Sequence, residues 1–106
     1  MMDEQQVTAR MAALSRALDE EVAKQAPPTR EQIEAEIGDM VAEAPELGEE
    51  PAETERDLRQ MSLAFWRDWF AVDALMAPLE MTEEEVWHVC LAREAARKER
   101  IFGAQT

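Results

Sequence analysis

Tyrosine is absent from this 106-residue chain, histidine and cysteine occur once each, and there are only three glycines. Each shortage removes a class of chemistry. The single thiol, Cys90, cannot form an intramolecular disulfide, and one thiol with one imidazole falls short of a zinc ligand set. Gly38, Gly48 and Gly103 stand too far apart to build a phosphate-cradling loop, and neither GxGxxG nor GxSxG occurs. His88 and Cys90 are two positions apart, about 200° around a helix, so they cannot act together as base and nucleophile. Ser15 and Ser62 have no base near them in sequence, and the Glu-x-x-His pair of carboxylate-bridged metal bundles is missing. The expectation is a protein without catalytic residues, metal ligands or cofactor.

Long apolar runs are also lacking. None approaches the roughly 20 residues needed to span a bilayer, so no membrane partner is expected. The opening residues MMDEQQ carry no apolar segment of the secretory kind. The expected location is the cytoplasm, of a cell or of a phage-infected host.

Positive charge is scarce as well. Eleven bases face 24 acids, for a net charge of −13. The excess sits in one place. Residues 27–55 hold ten acids and only Arg30, and the other three quarters of the chain are each close to neutral. Such a field repels phosphate and argues against direct nucleic-acid binding. A solvated acidic face that maintains solubility explains the same charge. The functional alternative is a lure for a basic partner surface, including one that normally grips nucleic acid.

What is present is helix-forming sequence, rich in Ala, Glu, Leu and Met. Four starts can be read from paired polar residues: Asp3 with Gln6, Thr29 with Gln32, Thr54 with Asp57, and Thr82 with Glu85. Each places a capping oxygen where the first helical N–H groups need an acceptor. Pro27, Pro28, Pro45 and Pro78 mark stops, and Gly103 suits a C-terminal cap. The resulting helices cover about 4–25, 30–44, 55–77 and 83–102, with an exposed acidic linker over 45–54. The expected fold is all-α, one small bundle of three to four helices in which the second helix and the linker are peripheral.

The segment FWRDWF, residues 65–70, carries four of the six aromatic side chains. On a continuous 55–77 helix, Leu58, Met61, Phe65, Trp69, Val72, Leu75 and Met76 share an arc of about 80° and make the core stripe. Leu63, Trp66 and Phe70 form a second apolar stripe rimmed by Arg67 and Asp73, the layout of an interface hot spot. In the fourth helix, Val86, Trp87, Val89, Cys90 and Leu91 are apolar on nearly every side, which predicts burial. The basic run at 93–100 then reads as a solvated helix end or a positive prong.

These features point to a non-catalytic, acidic interaction module, a small regulator or inhibitor that docks on a basic surface of a partner protein. Leu63, Trp66, Phe70, Glu31, Glu34, Asp39, Glu43, Glu46, Glu49 and Glu50 are the candidate partner-binding residues. A structural subunit that self-associates as a homodimer through the aromatic face is the alternative. The capped, later basic segment 82–99 also has some character of a helix-turn-helix recognition region. It lacks the glycine-bearing turn and short second helix of that motif, and the net charge opposes DNA.

Overall fold

A computed structural model describes residues 2–102, all helix, turn and loop with no strand among the described residues. Six α-helices run in chain order: α1 Glu4–Lys24, α2 Arg30–Glu43, α3 Pro51–Arg59, α4 Leu63–Ala71, α5 Asp73–Met76 and α6 Glu83–Phe102. A 3-10 turn, Ala44–Leu47, follows α2 directly. The all-α reading holds, but the chain is cut into more and shorter helices than the sequence pattern predicts.

Three of the four expected starts form as read. Asp3 and Gln6, Thr29 and Gln32, and Thr82 and Glu85 exchange reciprocal backbone–side-chain hydrogen bonds at 2.7–3.1 Å. The fourth does not. Glu50 caps α3, its carboxylate accepting from the Ala52 N–H at 3.3 Å, with Pro51 at the first helical position. Proline suits that site because its missing N–H would have had no helical partner. The acidic segment is therefore a structured corner, not an open linker. Gly48 turns it with φ +76°, a backbone conformation that side chains with a Cβ adopt only at a cost. The expected cap at Gly103 lies outside the described residues.

The expected 55–77 helix is broken twice. Its first break spans Gln60–Ser62, where the Ser62 hydroxyl accepts from the Phe65 N–H at 3.2 Å and starts α4 afresh. The cause is a long-range contact. Glu94 of α6 accepts the Ser62 N–H at 2.8 Å and the Ser62 hydroxyl proton at 2.6 Å. The Ser62 N–H is therefore taken by Glu94 and is not available to a helical carbonyl.

Restarting α4 changes which aromatics face inward. Phe65 and Trp66 are 0% and 3% exposed, whereas Trp69 and Phe70 are only partly buried. The predicted stripes thus exchange one member each: Trp66 belongs to the core, and Trp69 lies at its margin. α4 packs against both α1 and α6, so it is the central helix and is apolar on more than one side for that reason. Leu14 and Leu18 of α1, Val86, Val89 and Cys90 of α6, and Met81 complete the core around it. On the far side α2 packs on α3, and this pair reaches the main cluster chiefly through Ile37 and Leu58.

Among these apolar residues lies a buried ionic cluster. Asp68 of α4, 2% exposed, accepts from Arg93 Nε at 3.0 Å and from Arg97 Nη1 at 3.1 Å. Arg93 also donates to the carbonyl and hydroxyl of Ser15 at 3.0 and 2.8 Å and pairs with Asp19 at 2.7 Å. Arg97 donates to Glu94 at 3.0 Å. Half of the basic run is thus partly buried and paired: Lys98 and Arg100 are exposed, whereas Arg93 and Arg97 are half-buried against Asp68. A second clasp joins α1 to the α5–α6 turn, where Arg10 donates to Glu85 at 2.9 Å and to the Leu79 carbonyl at 2.7 Å.

Burial would raise the Glu94 carboxyl, but the Ser62 donors and the Arg97 guanidinium prevail and hold it below the ordinary carboxylate range. A folded value below the unfolded one means that Glu94 stabilises fully above the ordinary value near 4.5. That stabilisation is lost as pH falls through the lower folded value. Glu94→Gln is therefore expected to lower the melting temperature at neutral pH, with the gap from wild type closing as pH falls below the ordinary carboxylate value in thermal melts. Phe65→Ala and Trp66→Ala should each cost roughly 3–5 kcal/mol in chemical denaturation, and Trp69→Ala clearly less. Equal costs for all three would mean that the packing around α4 is wrongly assigned.

Candidate functional site

The acidic segment and the aromatic segment meet at a groove of about 790 Å³ between the α2–α3 pair and the α4–α6 side of the molecule. Its floor is made by Met40, Met61, Met76, Trp69, Phe70 and Trp87. The Trp69 and Trp87 rings lie with centroids 4.4 Å apart at 50°, and Trp69 stacks at 6.1 Å on the buried Phe65. The Trp69 ring is thereby anchored to the core behind it.

The rim is of one sign. Glu36, Glu43, Glu49, Asp57, Asp73 and Glu83 line the groove, and no Lys or Arg does. Glu36 also accepts from the Trp69 indole N–H at 3.3 Å, which fixes the ring against α2. Glu49 accepts from the Thr54 hydroxyl at 3.2 Å. Glu83 stands in the first turn of α6, where the helix dipole favours an acid. Every charged side chain in the lining is an acid, and Asp57 alone of these has a neighbouring base, Arg56 at 3.8 Å, just outside it.

The sequence-derived candidates divide between three places. Glu43, Glu49 and Phe70 line the groove. Glu31, Asp39 and Glu46 are exposed outside it, and Glu50 is the α3 cap. Glu34 pairs with Arg59 at 2.9 Å and so ties α2 to α3, the Arg59 guanidinium holding its carboxyl below the ordinary range. Leu63 is 56% exposed but lies apart from the groove lining. Trp66 is the clear correction. As a core residue it has no ring surface to offer a partner.

Sequence reasoning missed Trp69, Trp87, Asp57 and Glu83 as site residues, although it sets Asp73 at the rim of the second stripe and Glu36 within the acidic segment. Trp87 and Leu91 were expected to be buried, yet they are 37% and 41% exposed because α6 has no helix covering that side. The one available signal was the number of methionines at core-type positions, which fits a groove margin as well as a core. Cys90 and His88 do not come together. Cys90 is fully buried, its thiol pushed up to about 12 by burial, and His88 faces solvent.

No family model, curated protein or solved structure matches this chain.

Proposed function

We propose that this protein is a non-catalytic, acidic interaction module, a regulator or inhibitor that docks on a basic surface of a partner protein. The observation that carries this reading is the groove: an apolar floor of methionine and aromatic side chains inside an acidic rim without a base. Apolar contact supplies affinity in such a site, and the rim selects cationic partners and speeds their encounter.

The amount of exposed surface fits a protein that works in contact with a partner, whether another protein or a second copy. The accessible area is 7507 Å², against the roughly 6,000 Å² usual for a folded monomer of this mass. The excess exceeds the roughly 800 Å² that each partner buries in a standard protein–protein interface.

Self-association is the rival reading, favoured by the exposed Trp87 and Leu91 on one side of α6. It no longer rests on the α4 aromatic face, because Trp66 is buried.

Neutralising the rim with Glu43→Gln, Asp57→Asn, Asp73→Asn and Glu83→Gln should slow association with a basic partner and flatten its dependence on salt. Melting temperature should change little, because the fall in self-repulsion is offset by the loss of Asp73 and Glu83 from the first turns of α5 and α6. Affinity capture from lysate over a salt series, with wild type and the fourfold variant side by side, makes the comparison. Capture of acidic proteins, or capture indifferent to both salt and the four substitutions, would overturn the proposal.

A further inference from the structure

We infer that the groove takes an amphipathic α-helix of the partner, with large apolar residues on one face and Lys or Arg along both flanks. This rests on the reading above and specifies the shape of the ligand. Apart from Leu47, Glu49 and Met61 in the connecting turns, the groove walls are helices, and the Glu49 and Met61 N–H groups are themselves taken by the Ala44 and Leu58 carbonyls. Such walls offer no strand edge to which an extended segment could add. A strand laid on the Met40, Met61 and Trp87 floor would leave its own N–H and C=O groups without partners against apolar side chains. A helix brings those groups satisfied and presents only side chains.

The floor and rim then match the two chemistries of such a helix. Methionine side chains are unbranched and polarisable, so they can re-pack around apolar anchors of different shape. Acids stand on both walls, Glu43 and Asp57 on the α2–α3 side and Asp73 and Glu83 on the other. A helix lying between them meets negative charge along both flanks, which calls for basic residues on both edges of its apolar face. A flat basic surface could satisfy the rim but would leave the floor in water.

Three tryptophan-free peptides of about 18 residues, near 27 Å long as helices, test this. The first carries leucines on one helical face and Lys or Arg on the flanks. The second has the same composition in scrambled order, and the third keeps the leucine face with Glu flanks. Tryptophan fluorescence follows binding to the intact protein, and circular dichroism follows helix gained by the peptide.

The first peptide should bind at least about tenfold more tightly than either control, gain helix on binding and weaken with salt. Trp87→Ala should weaken it by about tenfold or more. Asp73→Lys with Glu83→Lys provides a second, surface-only variant with the same expected direction. Equal binding of the first peptide and its scramble, without helix gain, overturns the helical ligand while leaving a charge-guided module standing. Failure of all three peptides to bind overturns both. Self-association in sedimentation velocity that Trp87→Ala abolishes, and that the first peptide fails to displace, assigns the groove to a second copy and overturns the inference.

Discussion

Asp68 and Glu94 are both nearly withdrawn from water, at 2% and 3% exposed, and the arrangement of α1, α4 and α6 depends on how their charges are met. A buried carboxylate without partners would cost several kcal/mol, so these two tolerate few alternative arrangements of the helices around them. Arg93 reaches α1 through Ser15 and Asp19 and α4 through Asp68. Arg97 bridges the two acids. Among the described residues no buried side-chain polar atom is left without a hydrogen-bond partner. A pair of this kind adds little net stability compared with well-packed apolar residues. Its effect is on register: sliding α6 by one turn would leave only one of the two arginines at Asp68 and would take Glu94 away from Ser62.

The same cluster determines the shape of the candidate site. Glu94 holds Ser62 out of the preceding helix, and α4 restarts at a rotation that sends Phe65 and Trp66 inward. Trp69 and Phe70 are left at the margin, next to Trp87 of α6 and the methionines of α2 and α5. The groove floor is therefore a consequence of a contact made at the start of α4, seven residues before Trp69. Because Trp69 stacks on Phe65 and is held by Glu36, the floor is braced from two directions.

Six carboxylates around an apolar groove repel one another in the free protein, at some cost in stability. A cationic ligand would relieve that repulsion while covering the exposed rings, so the rim and the floor favour the same kind of partner. Solubility alone would account for acids scattered over the surface. It gives no reason for a groove lined by six acids, three methionines and three aromatic rings without one base.

The sequence by itself determined the helical class, three of the helix starts and the stops before Pro27, Pro45 and Pro78. These depend on interactions within one or two helical turns, between a cap and its N3 residue or along one face, so neighbouring letters suffice to reveal them. The acidic excess of 27–55 was equally plain, and Glu43 and Glu49 do reach the groove. Only the tertiary structure decided that the 55–77 segment breaks at Ser62, that Asp68 is buried with two of the four terminal bases paired to it, and that Trp66 and Trp69 exchange roles. Each of those outcomes depends on Glu94 or Arg93 meeting a residue 25 or more positions away. A helical wheel has no access to such a contact, because it assumes the continuous helix that the contact interrupts.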